Sequence, residues 1–342
     1  SSVAMSTAGQ DFTSHLTNDR GGFFQQNDYK IRNSSIRGQI VINHKFNAKH
    51  SVKLGVIHAY LHYSLLDKSR INSDDVFTTN LDNADNSSSD QSFVNWKYKV
   101  NDVFVINSGI HMMRFNLNGN TVVEPRIAAK WQLHPRHSVH AGFGLHSRLE
   151  TLSQYVAQTE DANGSVATPN EDLDLMKAAH YVVGYQVKLS TNTFFTAETY
   201  YQYLFDVPIE DVEGSALSLL NLGEGYTTRP LINEGTARNY GLDLTLERYF
   251  SDGYYFLITN SLYQSLYTAK DGIERDTRFN GNYVGNVIGG KEFKIGGTRK
   301  NRTLTLSTKA SVAGGNRYTP INLEASIAAG EEILYEDRPY SV

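Results

Sequence analysis

The chain has 342 residues, a formal net charge of -4 and no cysteine. No disulfide framework or thiolate metal site can be built, and there is no basic stripe to serve as a nucleic-acid footprint. With 21 tyrosines, 16 phenylalanines, 27 glycines and 7 prolines, the composition favours one continuous sheet over helical domains.

Residues 1–28 are weakly patterned, and a loop leading into the first strand is expected there. Beyond them apolar residues recur at every second position, the period of a half-buried strand. About twelve such segments are expected, over 36–46, 51–66, 91–100, 103–117, 122–133, 137–149, 178–190, 193–206, 237–250, 254–268, 283–294 and 302–314. Val94, Trp96, Tyr98 and Val100 share one face, with Asn95, Lys97 and Lys99 opposite. Val123, Pro125, Ile127, Ala129, Trp131 and Leu133 oppose Glu124, Arg126, Lys130 and Gln132. Tyr181, Val183, Tyr185, Val187 and Leu189 oppose Gly184, Gln186 and Lys188. Alternation is less clean in 51–66 and 254–268, where a bulge or register change is expected.

The links alternate between short and long. Short ones are Asn47 to His50, Asn101-Asp102, His134 to Arg136, Ser190 to Asn192 and Ser251 to Gly253. Long ones are 67–90, 150–177, 207–236 and 269–282. Two links break the pattern: a tight turn at Asn118 to Asn120 where a long loop is due, and a Gly296 to Asn301 link rather long for a turn. Outer-membrane barrels carry this asymmetry, with short turns on one side and long loops on the other. No apolar run approaches the roughly 20 residues of a membrane-crossing helix. The mean hydropathy of -0.41 does not argue against a membrane barrel, because alternating strands average low. No internal repeat and no composition shift marks a second domain. Residues 1–10 lack the charged and apolar regions of a secretion signal.

Asp82 to Gln91 and Thr159 to Glu171 are rich in charges and turn formers and read as solvated loops. Asp82, Asp85 and Asp90 could supply carboxylates to a calcium ion, but their spacing does not match an EF-hand loop.

Several stretches resemble the barrel of TonB-dependent receptors, in the group with a carboxypeptidase-regulatory-like N-terminal domain. They are Val123 to Arg126 (VEPR), Phe143 to Ser147 (FGLHS), Glu198 to Ile209 (ETYYQYLFDVPI), most of Asn233 to Phe293, and Arg317 to Ser341. Together they cover most of residues 122–342. The resemblance implies an all-β fold, an antiparallel transmembrane β-barrel in a Gram-negative outer membrane. The chain would supply about 12 strands of an expected barrel of about 22. Residues 1–342 are then read as one partial barrel domain, with the plug, the TonB box and the last strands outside it. The resemblance further implies TonB-dependent uptake of a nutrient such as an iron chelate, vitamin, oligosaccharide or peptide. Expected partners are outer-membrane lipids, the receptor's own plug, the TonB complex, a small-molecule or oligomeric nutrient, and a surface lipoprotein, but no nucleic acid. The alternatives are a surface binding protein or adhesin, and a barrel hydrolase.

No G-x-S-x-G elbow, H-E-x-x-H or P-loop is present, so no catalytic residue, metal or cofactor is expected. His58 and His62 share a strand face, and His134, His137, His140 and His146 surround one hairpin. The favoured reading makes these bystanders on a polar wall. Glu124, Glu198, Asp243, Glu247, Arg126, Lys130, Arg148 and Lys188 are expected on inward faces, paired or solvated. For substrate contact the candidates are His146 and Arg148, near the long-loop end of one strand, and Tyr200 and Gln202, pointing inward from another. Loops 150–177 and 207–236 are the expected recognition elements, since loops on a rigid scaffold usually carry binding. Tyr181, Tyr201, Tyr203, Phe205, Tyr249, Phe250, Tyr254 and Tyr255 are expected to form membrane girdles.

Overall fold

The computed structural model of the protein describes residues 2–17, 23–70, 75–160, 164–222, 226–297, 302–330, 332–335 and 339–342. In chain order the elements are β1 (Ser2–Thr17), β2 (Phe23–Lys45), β3 (His50–Ser69), β4 (Thr78–Lys99), β5 (Phe104–Phe115), β6 (Thr121–His134) and β7 (His137–Arg148). Next come α1 (Leu152–Val156), β8 (Thr159–Glu160), β9 (Val166–Ala167), β10 (Met176–Lys188), β11 (Thr193–Glu210) and β12 (Leu231–Ser251). Last are β13 (Tyr254–Thr268), β14 (Glu274–Asp276), β15 (Tyr283–Ile295), β16 (Arg302–Ala313) and α2 (Leu323–Ala329). All strands except the β8–β9 hairpin join one 14-stranded antiparallel sheet, in which each long strand pairs with its neighbours along the chain. Among the described residues β1 and β16 stand at its two edges, so the sheet is an unclosed part of a barrel.

Register sorts the side chains, because directly paired residues of antiparallel strands lie on one face. Tyr181, Tyr201 and Tyr240 form one outward row; Tyr185, Ala197 and Leu244 form another. Exposed apolar residues fill the outward face: Leu54, Val94, Ile127, Val183, Leu242, Val287 and Leu306. Polar residues take the inward face. Aromatic rows bound the apolar band, with Tyr181, Tyr201 and Tyr240 above and Trp96, Trp131 and Tyr254 below. Along β13, from Gln264, which pairs with Tyr240, to Tyr254 the strand rises about 33 Å, or roughly 25 Å of height at a tilt near 40°. That matches the apolar belt of a membrane barrel, about 25 Å tall. Two girdle assignments need correction, because Tyr249 lies inward beside Glu247 with its ring 5.6 Å from that of Phe194, and Tyr255 faces inward too. Tyr255 pairs with Gly290 on the inward face, where its ring covers that glycine.

Leu244 lies midway between the two girdles. In the full-length receptor reconstituted in lipid, Leu244→Arg is expected to cost about 2–4 kcal/mol in a urea titration. Thr245→Arg, facing inward, should cost far less; equal costs would mean that Leu244 does not face lipid.

The strands run further than alternation suggested. Residues 2–17 form β1 and pair with β2 from Ser2↔Gln39 to Thr17↔Phe23, so the expected loop over 1–28 is wrong. Asp82 to Gln91 are also paired, from Leu66↔Asp82 to Ile57↔Gln91, inside β4 and not in a loop. Over this stretch the outward face of β4 meets water, and its inward face sets the polar Asn83, Asp85 and Ser89 against the buried Leu65, Tyr63 and Phe115, so the strand shows no apolar period of its own. Asp82 and Asp90 point to one face of β4 and Asp85 to the other, so the three do not converge on a cation. Pairing is continuous through 51–66, with a shift only beyond it at Asp67/Lys68, whereas the ladder between β12 and β13 changes register between Arg248 and Ser251, opposite Phe256 and Tyr254, inside the segment where a bulge or register change is expected. Part of the Gly296 to Asn301 link and of the Thr159 to Glu171 loop lies outside the described residues.

Candidate substrate site beneath a folded loop cap

The long loops fold inward and build a hydrophobic core above the barrel wall. Tyr63 of β3, Met113 and Phe115 of β5 and Val122 of β6 pack against Leu152, Tyr155 and Val156 of α1 and against Leu173, Leu175, Leu219 and Leu231. Phe115 and Tyr155 are fully buried, with ring centroids 5.1 Å apart. The tight Asn118 to Asn120 turn explains itself here. Asn118 Nδ2 donates to the carbonyls of Glu171 (3.0 Å) and Leu173 (2.9 Å), and Asn120 Nδ2 donates to Leu173 (3.0 Å). A short turn at this position is the shelf on which the following long loop rests. Gly119 allows it, with φ of 78°.

Two buried amides tie that loop to the next long one. Asn170 Nδ2 donates to the carbonyls of Thr227 and Arg229, while its Oδ1 accepts from Leu231 N–H at 2.9 Å. Gln154 exchanges two bonds with the backbone of Thr227. From there the loop reaches across the mouth. Tyr226 stacks on Tyr29 of β2 at 5.7 Å and donates to Asp67 Oδ2 of β3 at 2.8 Å. Five strands of the sheet separate β3 from β11, where this loop begins. Burial, with the Asp67 carboxylate adding to it, raises the Tyr226 phenol well above its usual range, so it stays a donor.

Below the cap, the inward wall carries two adjoining cavities. A cavity of about 590 Å³ is lined by Lys53, Lys97, Arg126, His146 and His180. The rings of His146 and His180 lie 4.5 Å apart. Glu124, almost wholly buried, anchors Arg126 and accepts from the Ser147 N–H (2.8 Å) and hydroxyl, with His111 Nδ1 3.0 Å away. A second cavity of about 490 Å³ is lined by Glu198, Tyr200, Gln202, Asn239, Asp243 and Tyr263. Asn239 donates to Gln202 Oε1 at 3.1 Å, and His140 Nε2 lies 2.8 Å from Glu198. Val182 borders both cavities. Glycines seat the imidazoles. A Cβ on Gly184 would fall 2.2 Å from the His140 ring, and one on Gly144 2.7 Å from that of His146. The wall thus pairs a basic patch with a hydroxyl- and carboxylate-rich patch.

Of the four candidate residues, Tyr200 and Gln202 share the second cavity and His146 lines the first. Arg148 is apart from them, in a separate cavity with Glu150, Leu219 and Arg278. His180, Asn239 and the loop residues Asn170 and Tyr226 were not anticipated. The other histidines disperse. His58 and His62 face outward, near Asp90 and Asn86, and His137 pairs with Tyr185 at the short-turn rim. Among the described residues no group of three or more His, Asp or Glu is placed to hold a metal ion.

A family model described as TonB dependent receptor-like, beta-barrel, matches residues 3–325. The chain belongs to this family. The receptor barrel resembles solved structures in fold. P. aeruginosa FpvA bound to heterologous pyoverdines matches with a TM-score of 0.64 and 13% identity over 94% of this chain and 45% of that one. The ferric yersiniabactin uptake receptor FyuA from Yersinia pestis matches with a TM-score of 0.61 and 12% identity over 91% and 47%. The copper transporter OprC matches with a TM-score of 0.59 and 12% identity over 84% and 45%. The receptor barrel therefore spans just under half the length of these relatives. A sequence search of curated proteins finds no match. Family membership places the barrel in the outer membrane, with its apolar band in lipid and its loop cap on the cell exterior.

The cap carries its own response to pH. Burial raises the carboxyl of Glu150 above its ordinary value, and Arg148 offsets this only in part. A raised acid is a better base folded than unfolded. Its burial is free of charge cost below the unfolded value, and the cost grows as pH climbs through the raised value. The loop that starts at Glu150 should therefore be tighter under mildly acidic conditions than at neutral pH. Glu150→Gln should flatten this dependence in amide exchange over 151–157; an unchanged slope would assign it to another group.

Proposed function

We propose that the chain is a portion of the barrel of an outer-membrane importer driven through TonB, and that its nutrient docks on the loop cap and the wall beneath it. The observation that carries this reading is the cap itself. Two long loops share a buried core, join through Asn170 and Gln154, and extend to Asp67 across the mouth. A compact cap over a polar chamber is built for a ligand that enters from outside and is held before release inward. The role is that of a receptor, not an enzyme.

His146, Tyr200 and Gln202 are proposed as wall contacts for the nutrient, with His180 and Arg126 beside them. Arg148 belongs to the cap above. The basic patch suits a nutrient with carboxylate or phenolate groups, and an iron chelate is the substrate class these residues fit best. The full-length receptor would carry its own plug in the lumen and contact TonB through segments outside this chain. A surface lipoprotein over the cap and a vitamin, peptide or oligosaccharide cargo are the other readings. The test is radiolabelled uptake in cells carrying the full-length gene, with and without TonB. Accumulation of ferric chelates that requires both supports the proposal. Binding to cells with no accumulation in either strain would make the protein a surface receptor without transport.

A further inference from the structure

A groove of about 640 Å³ opens on the outward face of the sheet, away from the proposed nutrient site. Its volume lies within the roughly 300–1,000 Å³ typical of ligand pockets. Two successive rows of the pairing register build it. The lower row is Ile40, Val56, Ser92 and Met112, and the upper row is Gly38, His58, Asp90 and Arg114. Ser92 and Gly38 are small, so the apolar side chains of Ile40, Val56 and Met112 stand as walls around a floor. The row above carries Ile36, Tyr60 and Ser88, with Asn116 just past the end of β5, and the next carries Ser34, His62 and Asn86, so the outward face turns polar one row above the groove. The groove therefore lies just below the upper edge of the apolar band. From Asp90 to Tyr98 the strand covers about 27 Å, or roughly 21 Å of height at a tilt near 40°.

The polar rim has spare donors. Asp90 is engaged by His58 Nδ1 at 2.7 Å and by Asn116 Nδ2 at 2.7 Å. Arg114, paired directly with Asp90 across the ladder, is exposed, and its side chain makes no hydrogen bond among the described residues. The Nε2 of His58 likewise has no partner among them. An exposed guanidinium at the rim of an apolar cleft, near the height where hydrocarbon meets headgroups, is complementary to one kind of ligand.

We propose that this groove is a specific site for a phosphorylated, acylated lipid of the outer leaflet. Its phosphate accepts from Arg114 and His58, and one acyl chain lies between Ile40, Val56 and Met112. Guanidinium and phosphate pair through charge-assisted, often bidentate hydrogen bonds. This site is independent of what the barrel imports.

The test uses the full-length receptor in phosphatidylcholine nanodiscs, with bis-phosphorylated lipid A as probe and native mass spectrometry as readout. One tightly held lipid A per receptor is expected, with occupancy at least fivefold lower for lipid A stripped of its phosphates. Arg114→Gln should lower occupancy by the phosphorylated form to the same extent. Gly38→Leu should displace both forms, because a Cβ there meets nothing within 4 Å and the side chain can occupy the groove without strain. A thermal melt like that of the parent protein confirms that each variant is folded. Equal occupancy in the parent and both variants would leave only ordinary annular lipid. Displacement by inorganic phosphate, with no dependence on acyl chains, would make it a free-anion site. Either result overturns the proposal.

Discussion

Phe115→Ala is expected to release the loop cap while the strands beneath it keep their pairing. The side chain is fully buried, packs against the tilted ring of Tyr155 and belongs to the core that joins β3, β5 and β6 to three loop segments. Truncating a buried phenylalanine costs about 3–5 kcal/mol, because the cavity left behind closes only in part. Here the cost falls on the cap, since the ladder at Phe115 is held by backbone bonds that do not need the ring. The cap's backbone is short of regular structure, with a five-residue helix and two two-residue strands in the first loop. Besides this core it is held by side-chain amide bonds from Asn118, Asn120, Gln154 and Asn170 and not by a regular backbone ladder. Limited proteolysis of the full-length receptor should therefore cut within 150–175 in the variant and not in the parent. Resistance equal to the parent would mean that the loop is held by its hydrogen bonds alone.

The same contrast between ladder and cap governs what could be read from the sequence. Twelve strand segments were legible because lipid on one side and a polar chamber on the other impose a period of two. Where one of those solvents is missing, the period fades. That is why β4 from Asp82 to Gln91 reads as a loop. Tyr200 and Gln202 were placed inward by parity alone, and the register agrees. The same parity carries His180 inward with Gly184 and Gln186, so that residue was within reach and overlooked. Tyr255 failed for a different reason. It follows a tight turn at Asp252-Gly253, and being near a strand end does not reveal which face it takes. The cap was out of reach altogether. Tyr226 meets Asp67 across 159 positions, and Asn170 meets Leu231 across 61. No local period records such a contact. The shelf at Asn118 to Asn120 was visible only as an exception to the loop pattern, and its meaning required the loop that rests on it.

Asn170→Leu should uncouple the two long loops, and it separates the cap's role from that of the wall. Asn170 is fully buried, and its amide satisfies three backbone groups on the second loop: the carbonyls of Thr227 and Arg229 and the N–H of Leu231. Leucine has similar bulk but no polar atom, so all three groups lose that partner in a dry site. Each buried polar group left unsatisfied costs about 1–3 kcal/mol. The segment escapes the penalty by opening to water, at the expense of its packing against Leu152 and Tyr155. Amide exchange at Leu231 should accelerate at least a hundredfold, while amides in β6 and β7 stay as slow as before. Asn170→Asp is the discriminating companion. It keeps an acceptor for Leu231 but cannot donate to the two carbonyls, so its effect should lie between those of the parent and the leucine variant. If nutrient is gripped by the cap, affinity should fall in the same order as protection is lost. If it is gripped by the wall, His146→Ala should weaken binding while Asn170→Leu speeds association and leaves equilibrium affinity near that of the parent. The two orders cannot both hold, so exchange and affinity measured on these three variants decide which layer recognises the nutrient.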